Sequence, residues 1–109
     1  MENIAQKFKI LGDANRFKII NLLLGHDLCV GALAQHLRIS KPAISQHLQV
    51  LRKAGLVRGE KRGYWTHYMV ERDVLRQMAD TLVHMAQQAA RECSDGACVL
   101  IREIKEKPE

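Results

Sequence analysis

Ser40-Lys41-Pro42-Ala43-Ile44-Ser45-Gln46-His47-Leu48-Gln49-Val50-Leu51-Arg52-Lys53-Ala54-Gly55 is the stretch on which the fold turns. Ser40 is a good N-cap, and Pro42 falls at or near the first helical position, where its missing N–H costs little. Ile44, Leu48 and Leu51 recur at helical spacing and make one buried face. Gly55 suits the left-handed residue that closes a helix. The pattern predicts a helix from Pro42 to Ala54.

Upstream, Arg38-Ile39-Ser40-Lys41 is a tight connection to a short helix from Val30 to Leu37, with Leu33, Ala34 and Leu37 on its inner side. Two helices joined by so few residues make a helix-turn-helix. Before them, Ile4, Phe8 and Leu11 form one apolar stripe. Gly12-Asp13 interrupts, with Asp13 as N-cap, and a second stripe follows in Phe17, Ile20, Leu23 and Leu24, ending at Gly25.

Downstream the period changes from helical to extended. Leu56-Val57-Arg58 and Tyr64 to Val70 flank Gly59-Glu60-Lys61-Arg62-Gly63, predicting a hairpin with a basic, glycine-flanked tip. From Glu71 to about Glu92 a long helix is expected, with Val74, Leu75, Met78, Leu82, Met85 and Ala89 along one side. Such a helix is about 30 Å long, and a small chain has nothing obvious to cover its stripe. The same helix of a second copy, or that copy's first helix, would do so. The expected division is a domain over 1–92 and a cysteine-bearing tail over 93–109. The fold class is mainly α with a small β-hairpin.

With 109 residues, 47% of them hydrophobic, and only two prolines, the chain has room for one ordered domain. The net charge of +5 is unevenly spread. Residues 1–70 hold eleven Lys/Arg against four Asp/Glu, and residues 71–109 hold six against eight. A basic body with a slightly acidic end suits a polyanionic partner on one face. No stretch approaches the roughly 20 apolar residues of a membrane span. Met1-Glu2-Asn3 lacks the basic start and apolar run of a secretory signal, so a cytoplasmic location with reduced cysteines is expected.

On the helix from Pro42 the outward residues are Lys41, Ala43, Ser45, Gln46, Gln49 and Lys53, with His47 between the faces. Small residues let a helix approach closely, and Ser and Gln offer donors and acceptors to base edges. Lys41, Arg52 and Lys53 suit phosphates, which set register and carry the salt-dependent part of affinity. Lys61-Arg62-Gly63 at the hairpin tip would lie along the adjacent minor groove or backbone. Double-stranded DNA is the partner these features point to.

Leu11-Gly12-Asp13-Ala14-Asn15-Arg16, then Ser40 to Leu48, then Leu51-Arg52-Lys53-Ala54-Gly55-Leu56-Val57 closely resemble the ArsR/SmtB family of metal-responsive repressors, over about residues 3 to 90. The resemblance implies a winged helix-turn-helix homodimer of four helices, a hairpin and a fifth helix, dimerising through its first and last helices. It implies an inverted-repeat operator that is released when an inducer binds. By the same resemblance Ser40, Lys41, Ala43, Ser45, Gln46 and His47 line the DNA-reading helix and Arg62 the wing; Pro42, Gln49, Lys61 and Tyr68 complete the expected DNA-binding set.

The cysteines bear on the inducer. Asp27-Leu28-Cys29-Val30-Gly31-Ala32-Leu33 looks like the family's arsenite and cadmium motif, except that the motif's second cysteine is Gly31 here. Thiolates select soft ions. Cys93 and Cys98 flank Ser94-Asp95-Gly96-Ala97, a segment able to turn back, and three thiolates match the trigonal arrangement of trivalent arsenic. The expected ligands are therefore Cys29, Cys93 and Cys98, with As(III) as inducer, or Sb(III), Cd, Pb or Zn on the same thiols; no organic cofactor is expected. A thiol switch, in which Cys29 and a tail cysteine bond under oxidant or reactive sulfur, uses the same residues. Asp80 and His84, four apart, offer only two ligands. An enzyme finds little support: Cys93 and Cys98 lack Cys-x-x-Cys spacing, and no glycine-rich phosphate loop exists. A nonspecific architectural DNA binder would lack ligand-dependent release.

Overall fold

The structure, a computed structural model, describes residues 3–90. Five helices and three short strands follow in the order α1 (Ile4–Leu11), α2 (Ala14–Gly25), β1 (Leu28–Cys29), α3 (Val30–Leu37), α4 (Lys41–Lys53), β2 (Val57–Arg62), β3 (Trp65–Val70) and α5 (Arg72–Gln87).

Local chemistry explains the boundaries. The Asp13 carboxylate accepts from the Arg16 amide at 3.1 Å, and the Ser40 hydroxyl accepts from the Ala43 amide at 3.2 Å, each satisfying an orphan donor of a first turn. Arg38, at φ 57°, takes the left-handed conformation that turns the chain from α3 towards α4. Gly55, at φ 78°, ends α4, and the Leu56 amide reaches back to the Leu51 carbonyl at 2.9 Å, the bonding of a glycine-closed helix end.

The core is where the helix-turn-helix meets the sheet. Ile19, Ile20 and Leu23 of α2, Leu33 of α3, and Ile44, Leu48 and Leu51 of α4 pack with Leu56, Val57, Val70 and Met78. Each fully buried Leu or Ile contributes about 1.5–3 kcal/mol. The antiparallel sheet has the order β1-β3-β2, with Val57 opposite Val70 and Arg62 opposite Trp65. Arg72 donates to the Leu24 carbonyl at 2.9 Å, and Arg58 pairs with Glu71, fastening the start of α5 to α2 and the sheet. Among the described residues no helix is long and apolar enough to cross a membrane.

Four expectations are corrected. Phe17 is 54% exposed, and Ile19 takes its expected place in the core beside Ile20. The wing strands run further than expected: β2 continues through Lys61 and Arg62, leaving Gly63-Tyr64 as a two-residue turn. Gly63, at φ 63°, supplies the conformation that such a turn needs at its first central position. The strand Leu28–Cys29 was not expected, because two residues show no periodicity. Finally, α5 ends at Gln87 rather than near Glu92. In its later turns Leu82, Val83 and Met85 are all more than half exposed within one chain, so no contact among the described residues holds the helix beyond Gln87.

Candidate nucleic-acid interface

Helix α4 is amphipathic in three dimensions. Ile44, Leu48 and Leu51 fill the core, while Ser40, Lys41, Pro42, Ser45, Gln46 and Gln49 are exposed and Ala43 is half-buried. The expected reading residues thus share one accessible face at the front of the helix. Arg52 and Lys53 add cations at its end.

His47 is partly withdrawn from that face. Its Nδ1 lies 3.4 Å from Arg16 Nη1, while Arg16 Nε donates to the Ile10 carbonyl at 2.7 Å. A guanidinium can only donate, so in this pairing His47 Nδ1 accepts. Arg16 was not singled out in the sequence, although it ends the Leu11–Arg16 block. The amide of Arg16 holds the Asp13 carboxyl below its ordinary 3.8, with a smaller opposing push from burial.

In the wing, Lys61 is exposed, but Tyr68 is half-buried and packs on the core beside Ser45, Leu48, Gln49 and Arg52. Tyr68 thus lines the surface between the sheet and the exposed side of α4. Gly59 opposite makes room for it: a Cβ there would come within 3.3 Å of the Tyr68 ring and 3.2 Å of the Thr66 methyl.

Arg62 is tethered. Its Nη1 bonds the Asp27 carboxylate, and its Nε donates to Glu60 at 3.1 Å. The other oxygen of Asp27 lies 3.0 Å from His67 Nδ1. Burial works to raise the Asp27 carboxyl, but the bonds from Arg62 and His67 outweigh it and hold it below 3.8. Glu60 and Asp27 in turn raise Arg62 above its ordinary value. Asp27 entered the sequence reading only as the residue before Leu28-Cys29. A pairing across 35 positions leaves no local signal.

Cys29 is a free, half-buried thiol at the N-cap of α3. It stands across the sheet from His67, in a groove shared with Gly31, Gln35, Lys41 and Trp65. At Gly31 a Cβ would meet only Lys41 Cε, at an ordinary 3.8 Å. Cys93 and Cys98 lie outside the described residues. Among the described residues no three His, Cys, Asp or Glu side chains are grouped to hold a metal ion. Asp80 and His84 are exposed on α5, and His26 and His36 are exposed elsewhere.

Comparison with known proteins agrees with this architecture. Residues 13–58 match the family model described as "Bacterial regulatory protein, arsR family". The transcriptional repressor SdpR of Bacillus subtilis (strain 168) is 35% identical over 77 residues, covering 71% of this chain and 86% of that protein. The arsenical resistance operon repressor of Escherichia coli (strain K12) is 49% identical over 65 residues, 58% of this chain and 55% of that one. Among solved structures, the homodimeric winged helix-turn-helix DNA-binding domain Mb0332 of Mycobacterium bovis superposes with a TM-score of 0.64 at 26% identity, covering 84% of this chain and 85% of that one. With its capped reading helix, β-hairpin wing and these relatives, the chain belongs to the arsR family of bacterial regulatory proteins, DNA-binding transcription regulators rather than enzymes.

Proposed function

We propose that this protein is a homodimeric repressor that binds an inverted-repeat operator and is released by arsenite, or another thiophilic ion, held by Cys29 together with Cys93 and Cys98. In this reading the α4 helices of the two protomers enter successive major grooves about one helical turn apart. Ser40, Pro42, Ala43, Ser45, Gln46, His47 and Gln49 approach base edges, Lys41 and Lys61 meet phosphates, and Tyr68, which shares a pocket with Ser45, Gln49 and Arg52, joins the DNA-facing surface. Arg62 is the second wing cation.

The observation that carries the sensing role is the position of Cys29. It occupies the N-cap position of α3, the helix before the reading helix, and it lies in one groove with Lys41 at the head of α4 and Trp65 of the wing. A ligand drawing the thiol towards the tail displaces the start of the helix-turn-helix. Only the difference in DNA affinity between the two conformations drives release. The name of the Escherichia coli relative, an arsenical resistance repressor, supports the choice of arsenite. Dimerisation is supported by the exposed Leu82, Val83 and Met85 on α5 and by the homodimeric Mycobacterium bovis domain.

The test is fluorescence anisotropy of the reduced protein on its own upstream promoter DNA, titrated with arsenite. Release near one equivalent per protomer, reversed by excess dithiol, is expected. No release, followed by a response to cadmium, zinc or polysulfide on the same sample, would remove the arsenic site.

A further inference from the structure

The Asp27, Glu60 and Arg62 side chains form one group on the outer face of the wing, joined to His67. Two carboxylates against one guanidinium leave that group with no positive charge to offer a phosphate. A basic hairpin tip in the sequence has thus become, once folded, one at which Lys61 is not held by these carboxylates, while Arg58 further down β2 pairs with Glu71. Glu60 is a neighbour on the same strand, two residues from Arg62, and any extended conformation brings the pair together. Asp27 is different. It comes from the link between α2 and β1, and it bonds residues on both strands of the hairpin, Arg62 on β2 and His67 on β3.

We propose that Asp27 competes with DNA phosphate for Arg62, so that it is the residue that sets how much the wing contributes to DNA binding. The inference rests on DNA binding by this surface and not on which inducer is sensed. A guanidinium has five donors, and Arg62 uses Nη1 and Nε on the two carboxylates. A phosphate approaching Arg62 meets the two carboxylates on the same group and is repelled by them. Its gain in charge-assisted bonding is largely cancelled unless Asp27 lets go. Asp27 acts through Arg62 and touches no nucleotide itself, which makes it a positioning residue. Its side chain is 40% exposed, so an isosteric amide is accommodated without disturbing the core.

The experiment is a double-mutant cycle on Asp27→Asn and Arg62→Gln. Affinity for the promoter duplex and for a random-sequence duplex is measured by anisotropy across a salt series, with far-UV circular dichroism on each variant. Each phosphate contact adds about 0.9 to the slope of log K against log salt. Asp27→Asn is expected to tighten binding several-fold at low salt and to steepen the slope by about 0.9 on both duplexes. Arg62→Gln is expected to leave the wild-type slope unchanged and to remove the gain in the Asp27→Asn background. Equal effects of Arg62→Gln in both backgrounds would overturn the proposal, because Asp27 would then not control the arginine. So would weaker binding by Asp27→Asn at an unchanged slope, the outcome if the carboxylate only orders the wing. Loss of preference for the promoter duplex would instead count against the operator reading, and it is recorded separately from the slopes.

Discussion

Cys29 and His67 face each other across the junction of β1 and β3, so the thiol at the start of the helix-turn-helix is one strand away from the centre of the wing. In the proposed reading, a ligand at the sulfur acts on the helix-turn-helix and the wing together through neighbouring backbone. Replacing Cys29 by Ser keeps the size and the strand pairing while removing the soft ligand. Operator affinity is expected to stay within about twofold, and the arsenite response to disappear, in the anisotropy titration described above. A variant still released at the wild-type arsenite concentration would show that Cys29 is not a ligand.

Gly31→Cys restores the spacing of the Cys-Val-Cys motif. The site has room, since the new Cβ meets only the Lys41 stem at 3.8 Å. A second thiolate on the first turn of α3 is expected to lower the arsenite concentration needed for release by at least about tenfold, the scale of one added metal–ligand interaction. Unchanged sensitivity would mean that the inducer is not held at this end of α3.

The Leu48 side chain is buried on α4, and its loss opens a cavity between the reading helix and the sheet. Leu48→Ala is expected to cost about 2–5 kcal/mol. Thermal unfolding followed by circular dichroism should show the transition lowered by more than about 8 °C for a domain of this size. Ser40→Ala, which removes only the cap to Ala43, should cost about 1 kcal/mol in the same assay.

Asp13 and Asp27 both have carboxyls held below their ordinary 3.8. A folded value below the unfolded one adds stability that is complete above the unfolded value and is lost as pH falls through the folded one. Urea midpoints are therefore expected to fall on acidification from about pH 5 downward, and Asp13→Asn to flatten that fall. An Asp13→Asn curve parallel to wild type would remove this carboxylate from the acid limb.

Leu82 and Met85 expose half or more of their surface on one side of α5. If a second copy covers them, Leu82→Glu paired with Met85→Glu yields a monomer by light scattering. Half-site binding by a monomer forfeits the gain from tethering two reading helices, about 10²-fold or more in operator affinity. A variant that stays dimeric would place the interface elsewhere.

Much of this was legible from local rules. The caps at Asp13 and Ser40, the glycine at 55 and the Ile44-Leu48-Leu51 spacing each act within a few residues, so they survive translation into structure unchanged. Phe17 misled because apolar spacing alone does not say which side of α2 meets a neighbour; Ile19 fits the same helix and won the core. The end of α5 was overextended for a related reason, since propensity continues where packing stops.

What the amino-acid order determined by itself was the sequence of elements, the capped reading helix, the polar composition of its outer face and the supply of cations and thiols. All depend on short-range periodicity, caps and residue chemistry. Tertiary structure alone decided how those charges are spent. Arg16 holds His47, Glu71 holds Arg58, and Asp27 holds Arg62 and His67 through contacts between segments distant in the chain. An ion pair forms wherever folding brings two charges within a few ångströms, and no local pattern records it.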